Sequence, residues 1–338
     1  MDILADHPLQ RLHSFGFDVR ARFFVEVADV DALREALAWA RGRGIEVLLL
    51  GGGSNLVPSG DLDALVIRLA LRGIEARERD GGVRLRASAG ESWSDLVEHC
   101  LARGWYGLEN LAGIPGTAGA APVQNIGAYG VELCDRLVEV ELLDRDTLEI
   151  VRRDARDCGF GYRDSAFKGR WRERYAVTAI WLQLALEPCC CLTHEGLCEE
   201  LAMAGSGSAA SPAQVAQAVL RLRQRKLPDP AALGNAGSFF HNPVVDRACF
   251  ARLDAAHGGL IGFDEPDGRV KLAAAQLVER CGYKGLRRGP VGVHDRHALV
   301  LVHCGGGTPD ALLALAAEIQ AAVHQAFEVE LQIEPRVV

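Results

Sequence analysis

No hydrophobic run in this chain approaches the roughly 20 residues that a membrane-spanning helix requires. The longest apolar stretches, such as Val47–Leu50 and His297–Cys304, are strand length. The opening residues, MDILADHPLQRLHSFGF, lack a basic stretch followed by an apolar core, so no secretory signal is expected and the cytoplasm is the default compartment. An excess of positive charge is also missing. The 338 residues carry a net charge of -8, which argues against nonspecific nucleic-acid binding. Small anionic ligands stay open, since they need only a local cluster of Arg, Lys and backbone N–H groups. Cysteine is plentiful, at ten residues, but paired C-x-x-C spacing is absent. Cys189, Cys190 and Cys191 are adjacent, with Cys198 further on, so free or buried thiols are expected rather than a metal site. No internal repeat is apparent.

What is present reads as a soluble globular protein, 49% hydrophobic and 24% charged. Its length fits about two or three domains. The first segment reads β-α-β: a strand at Phe23–Val27, a helix capped by Asp29 or Asp31 and closed by Gly42, then the continuous apolar strand Ile45–Leu50. Ala64–Leu69 is a further strand. Val83–Ala87 alternates in strand fashion, and Ser92 or Ser94 can cap a helix that Gly104 closes. Strands are expected at Leu137–Leu143, Leu148–Arg152 and Tyr175–Leu186, and a helix at Ser211–Arg225. Beyond Lys226–Pro230 the pattern gives a strand near Ser238–Phe240 and a helix at Lys271–Cys281. A strand Ala298–Cys304, a helix Asp310–Phe327 and a last strand Val329–Ile333 complete it. The class is mixed α+β.

Two stretches stand out. Leu48–Leu56 runs a buried strand straight into Gly51-Gly52-Gly53-Ser54-Asn55. Successive glycines let a backbone approach a ligand closely and aim consecutive N–H groups at one anion. They equally make a tight turn between strands. The G-x-G-x-x-G spacing of a Rossmann fingerprint is missing, so a pyrophosphate held by a loop between strands fits better. The second stretch, Gly113–Gly130, holds five glycines and two prolines in eighteen residues and cannot be regular helix or strand. Loops of that length inside a compact domain are usually functional or disordered, and low charge with scattered apolar residues argues against disorder. A backbone wrapped around a flat cofactor would explain the composition.

LLLGGGSNLV followed by GIPGTAGAAPVQNIGAYG resembles the UDP-N-acetylenolpyruvoylglucosamine reductase family, within the wider group of FAD enzymes with a two-part flavin domain of the vanillyl-alcohol-oxidase type. LHSFGFD at Leu12–Asp18, FGYRDS at Phe160–Ser165, KLPDP at Lys226–Pro230, GNAGSFFHNP at Gly234–Pro243 and IEP at Ile333–Pro335 match in order. The similarity spans nearly the whole chain, and the stretch near Leu192–Leu197 resembles the longer subtype with a tyrosine loop. It implies an α+β fold of three domains. Residues 1–72 and 73–226 would form the two parts of the flavin domain, the latter joined by a C-terminal strand at 329–338. Residues 227–328 would form an α+β substrate domain.

The implied activity is NADPH-dependent reduction of UDP-N-acetylglucosamine enolpyruvate to UDP-N-acetylmuramate in peptidoglycan synthesis, and with it cell shape and division. FAD, bound noncovalently, would carry the hydride from NADPH to substrate. By the resemblance, FAD contacts come from Gly51, Gly52, Gly53, Ser54 and Asn55, from Gly113, Ile114, Pro115, Gly116, Thr117, Gly119 and Ala120, and from Asn125, Gly127, Ala128 and Tyr129. Arg163 would pair with the enolpyruvyl carboxylate and Glu334 would share that task. A carboxylate beside a developing anion repels it, so Glu334 is expected to act protonated or through a neighbour. Ser238 would donate the proton. Tyr162, Lys226 and Asn242 would bind substrate. At the lid this chain reads Leu192-Thr193-His194-Glu195-Gly196, placing His194 where the subtype has tyrosine. A monomer is expected, with no nucleic-acid partner and no membrane insertion.

Taken without the motifs, each residue has a plainer reading. Arg163 suits a surface pair with Asp164, Ser238 a bond to its own turn, and Lys226 a snorkelling helix-end cation. Two other functions compete. One is an FAD oxidase of an alcohol or hydroxy acid. Many such oxidases attach flavin through a histidine near the glycine turn, and Gly51–Asn55 contains none. The other is a non-catalytic nucleotide-binding module, against which Arg163, Ser238 and Glu334 together speak.

Overall fold

The computed structural model describes residues 1–79 and 81–338. Packing divides them into two units. The first comprises Met1–His7, Ala21–Gly53 and Asp63–Arg225; the second comprises Pro8–Arg20, Ser54–Leu62 and Lys226–Val338.

In the first unit, helix Val30–Arg41 follows directly from its residues. Asp29 accepts from the Ala32 N–H at 2.8 Å, satisfying one of the donors that a helix start leaves open. Leu33, Ala36, Leu37 and Ala40 recur at helical spacing and are buried. They pack with Leu65, Ile67 and Leu69 of strand Leu62–Leu69, which lies parallel to Glu46–Leu50 in register Glu46 with Ala64. A second, five-stranded antiparallel sheet has the order Ile150–Asp154, Leu137–Asp144, Tyr175–Ala185, Gly82–Ser88, Ile74–Arg79. Val83, Leu85 and Ala87 point inward, as their alternation requires, while Arg84 and Arg86 point out. Helix Trp93–Ala102, capped by Ser92, packs Trp93, Leu96 and Val97 into the same core.

The second unit carries two three-stranded sheets and the long helix Pro309–Phe327, capped by Thr308. The last strand, Arg336–Val337, runs parallel to Leu56–Val57. It belongs to this unit, as do all of residues 329–338.

Several elements differ from expectation. Lys271 and Leu272 end a strand, Val270–Leu272, and the helix begins only at Ala274, because Ala273 holds an extended ψ of 93°. Ser238–Phe240 is not a strand. Gly237 at φ 70° turns the chain before it, and pairing is confined to an isolated bridge between Phe240 and Ile333. Val329–Ile333 alternates in burial yet makes no ladder beyond that bridge. Strand Leu148–Arg152 shifts to Ile150–Asp154, since Leu148 closes the turn at φ 60°. The stretch near Leu192–Leu197 runs into a helix, Glu195–Met203.

One buried group makes stability depend on pH. His13, 6% exposed, lies 3.2 Å through Nε2 from the Phe17 carbonyl, which can only accept, so Nε2 carries the proton. Nδ1 is buried and has no hydrogen-bond partner among the described residues. Burial pushes its pKa down, against the Phe17 bond, and nearby His303 pushes the same way as burial. The unfolded chain therefore takes up a proton near the ordinary value of about 6.5 while the native state does not. Full stability is present above that pH and is lost as pH falls through it toward the folded pKa. The melting temperature should fall between about pH 7 and pH 5, and His13→Gln should flatten that fall. An equal slope in both proteins would remove His13 as the cause.

Candidate active site

The glycine loops of the first unit meet each other. A Cβ on Gly52 would stand 2.9 Å from the Gly116 Cα, and one on Gly51 would stand 2.7 Å from the Thr117 Oγ1. On Gly119 it would come within 2.5 Å of the Ala89 Cβ. The missing side chains thus serve first to bring loop against loop. Gly53 at φ 63°, Gly113 at φ 68° and Gly116 at φ 116° use backbone conformations that other residues rarely adopt. Helix Trp93–Ala102 anchors the long loop at its start. The Trp93 N–H donates to Gly116 at 3.1 Å, the Trp93 indole to Leu111 at 3.0 Å, and the Ser94 hydroxyl to Ile114 at 3.3 Å. Ala120 donates back to Thr117, opening the short turn Ala121–Gln124.

Asn125 ends that turn in the left-handed region, at φ 45°, fully buried. Its amide donates to Glu132 at 2.7 Å and to the Gly161 carbonyl at 3.3 Å, and its oxygen accepts from the Cys134 N–H at 3.0 Å. Gly127 and Ala128 pair with Val131–Glu132. Tyr129, at φ 51°, offers its carbonyl to the Asn110 amide at 2.8 Å. Its ring meets His194 edge-on at 5.0 Å. His194 caps helix Glu195–Met203 by accepting from the Leu197 N–H at 3.3 Å. Burial pushes the Tyr129 hydroxyl up, opposed by Arg223 and Arg225.

Arg163 lies in the tight turn Gly161–Asp164 and donates to the Gly127 carbonyl at 2.8 Å. Tyr162, 38% exposed, presents its ring 5.9 Å from that guanidinium. Sequence reasoning missed Arg223. Burial lowers its pKa, Tyr129 opposes this, and Arg163 adds to it. The signal was its position on the buried stripe of helix Pro212–Lys226, next to Leu222 and four residues after Val219. A cation on an apolar face calls for an anion or a polar rim.

In the second unit, Ser238 follows a turn that Asn235 builds. The buried Asn235 side chain accepts from the Gly237 N–H at 2.9 Å and donates to Leu233 at 2.8 Å and Pro228 at 3.1 Å. Beyond Ser238, Phe239 donates to Leu299 at 2.7 Å, and the Glu334 N–H donates to the Phe239 carbonyl at 2.9 Å. Ser238 and Glu334 are therefore tied through one residue. Asn55 strengthens the tie, its amide reaching the Glu334 carbonyl at 3.5 Å and its carbonyl accepting from Arg336 at 2.9 Å. Ser54 accepts from the Ser14 hydroxyl at 3.3 Å. The Glu334 carboxylate lies 3.8 Å from His241 Nδ1, and both side chains are largely buried. His241 is a second residue that sequence reasoning missed.

Asn242 Oδ1 accepts from the Ala274 N–H at 3.0 Å, at the start of helix Ala274–Arg280. Its amide nitrogen is thereby the end left to donate. Lys226 closes helix Pro212–Lys226, and its charge, with His294 and Lys284, lowers the pKa of His297, though burial is the larger cause. The structure thus gathers Arg163, Tyr162, Gly127 and Tyr129 in one unit, and Ser238, Glu334, Asn242, Lys226, Ser54 and Asn55 in the other.

No group of three or more His, Cys, Asp or Glu side chains among the described residues could hold a metal. All ten cysteines are free. Burial pushes the Cys100 and Cys158 thiols up to about 12 and Cys190 up to about 11, which makes them poor thiolates at neutral pH. No helix among the described residues is long and apolar enough to cross a membrane.

Glycine loops such as Gly51–Gly53 and Gly113–Gly119 fit a flat nucleotide cofactor approached by backbone. Residues 21–152 match a family model described as an FAD binding domain. With full-length curated relatives that are named reductases, this domain makes the chain an FAD-dependent oxidoreductase. Residues 229–338 match the C-terminal domain of UDP-N-acetylenolpyruvoylglucosamine reductase. Among curated relatives of that name, one from Cupriavidus pinatubonensis is 48% identical over 330 residues, covering 97% of each chain. One from Ralstonia nicotianae is 46% identical over 343 residues and covers 100% of both. The crystal structure of the Thermus caldophilus reductase shares the fold, with a TM-score of 0.67 and 22% identity, covering 99% of this chain and 98% of that one. The chain belongs to the UDP-N-acetylenolpyruvoylglucosamine reductase family.

Proposed function

We infer that this protein reduces UDP-N-acetylglucosamine enolpyruvate to UDP-N-acetylmuramate with NADPH, in peptidoglycan precursor synthesis. The observation that carries this is end-to-end identity of 48% to a reductase of that name. Bound FAD supplies hydride transfer. The chain's own residues bind, orient and protonate. Residues 1–72 and 73–226 form the flavin lobes in this reading, and 227–328 the substrate domain. A monomeric enzyme of the cytoplasm is the working state.

Arg163 holds the enolpyruvyl carboxylate and stabilises the enolate that forms when the vinyl carbon accepts hydride. A guanidinium suits this because it stays charged and bonds a carboxylate through two N–H groups. Ser238 then gives its proton to the adjacent carbon. A hydroxyl is a weak acid, so it needs a charge-rich acceptor and a fixed direction, and the Asn235–Gly237 turn supplies the direction. Glu334 acts protonated or through a neighbour, and His241, 3.8 Å from its carboxyl group, is that neighbour. An unchanged pH–rate profile in Glu334→Gln would remove this role.

Lys226 and Asn242 bind the diphosphate, Asn242 through its amide nitrogen. Tyr162 and His194 complete the substrate contacts, an imidazole binding phosphate best when protonated. Asn242→Asp keeps the helix cap but points a negative charge at phosphate. Its melting temperature should hold while KM rises at least about tenfold. Asn242→Ala should instead cost roughly 1 kcal/mol of stability as well. An unchanged KM in both would exclude Asn242 from binding.

The deciding experiment is direct. The purified protein should be yellow and should consume NADPH only when the enolpyruvyl substrate is present. Oxygen consumption with an alcohol and without NADPH would make it an oxidase, and a colourless, inert protein would make it neither.

A further inference from the structure

Arg163 occupies a backbone conformation its residue type rarely adopts, at φ 53°. Such a residue persists only where its surroundings overdetermine it. Gly161 and Asp164 exchange backbone hydrogen bonds of 3.0 and 3.2 Å, closing the turn. Asn125 donates to the Gly161 carbonyl at 3.3 Å, and the Ser165 hydroxyl to the Val123 carbonyl at 2.6 Å. These contacts seat the turn as a whole. Lys168 does something different: its Nζ donates to the carbonyl of Arg163 itself, at 2.8 Å. The ammonium is half-buried, and no carboxylate pairs with it among the described residues. The far end of Arg163 is fixed as well, with Nη2 donating to the Gly127 carbonyl at 2.8 Å.

We propose that Lys168 is a positioning residue for the reduction, pinning the Arg163 carbonyl and so setting the direction in which the guanidinium leaves its turn. The proposal rests on the role given to Arg163 above. A bond from an ammonium is charge-assisted and stronger than one from a neutral donor. Without it the peptide after Arg163 is held only by the longer Asp164 N–H bond to Gly161, at 3.2 Å, and can tilt while Gly127 still holds the tip. The guanidinium then meets the carboxylate at a shifted angle, and bidentate pairing is the interaction most sensitive to angle.

Lys168→Met, Lys168→Arg, Arg163→Met and the double variant Lys168→Met/Arg163→Met would be compared as holoenzymes by rapid mixing. One half-reaction is reduction of bound flavin by NADPH; the other is its reoxidation by the enolpyruvyl substrate. Lys168→Met should slow the second by about 10- to 100-fold, the scale of a misplacement near 1 Å. The first should be unchanged. Lys168→Arg should recover most of the loss, and the double variant should be no slower than Arg163→Met alone. Amide exchange at Asp164 should quicken in Lys168→Met. Should that variant not fold, Lys168→Gln, which keeps an uncharged donor, takes its place.

Equal slowing of both half-reactions would make Lys168 merely structural and overturn the proposal. So would a double variant in which the two losses multiply, or a Lys168→Met as fast as wild type. If Arg163→Met itself leaves reoxidation intact, the functional reading of Arg163 fails and takes the proposal with it. Exchange at Asp164 would then still report whether the contact exists.

Discussion

Replacing Ser238 with alanine should slow reduction of the enolpyruvyl substrate by about two to four orders of magnitude, the usual worth of a positioned proton donor. Reduction of bound flavin by NADPH should stay near the wild-type rate, because that step needs no proton from Ser238. The substitution removes a single oxygen. The turn before it is built by the Asn235 side chain and Gly237, and the bonds after it run through the Phe239 backbone to Leu299 and Glu334. Phe239 and Phe240, both fully buried, keep their packing. Loss of both half-reactions would therefore indicate misfolding. Wild-type reduction of substrate would show that another group delivers the proton.

The second large effect concerns the glycine walls. Gly52→Ala should yield protein that binds FAD poorly or not at all, read as flavin absorbance relative to protein. The new methyl would meet Gly116 Cα at 2.9 Å and two further Gly116 backbone atoms at 3.4 and 3.6 Å. No side chain can swing away to make room, so the loops must separate. Overpacking of this kind costs about 1–3 kcal/mol, and it falls on the two segments assigned to the cofactor. Gly60→Ala is the control: nothing lies within 4 Å of the Cβ position there, so flavin content should be unchanged. Full flavin loading in Gly52→Ala would show that the loops tolerate separation and that the cofactor does not depend on their contact.

Local patterns in the sequence were legible where a short segment decides its own structure. Asp29 with Leu33, Ala36, Leu37 and Ala40 defines a helix without outside help. Val83, Leu85 and Ala87 define the inner face of a strand. Legibility failed where a partner far along the chain decides. Val329 and Leu331 alternate with exposed residues as a strand would, yet they pack without a ladder. Helix Arg247–His257 was missed because it buries only Leu253 and offers almost no periodic signal. The candidate site divides the same way. Its glycine loops announce themselves by composition. Arg223, His241 and Lys168 do not, for each acquires its surroundings through folding: Arg223 meets Gly113 and Tyr129, and His241 meets Glu334.

The interleaving of the two units has a consequence for how the chain is made. Phe15 and Phe17 are fully buried, and their partners lie near the far end of the chain. Phe15 meets Phe239 edge-on, its carbonyl accepts from His303 Nδ1 across 288 residues, and the Phe17 ring lies tilted against the same His303 ring. A ribosome adding about 5–20 residues per second leaves an interval of roughly 15–60 s between the first of these residues and the last. Throughout it the LHSFGF segment lacks the His303 contact that covers it in the folded chain. The N-terminal segment is therefore buried late in synthesis. It is also where premature termination anywhere before His303 would leave an aggregation-prone surface.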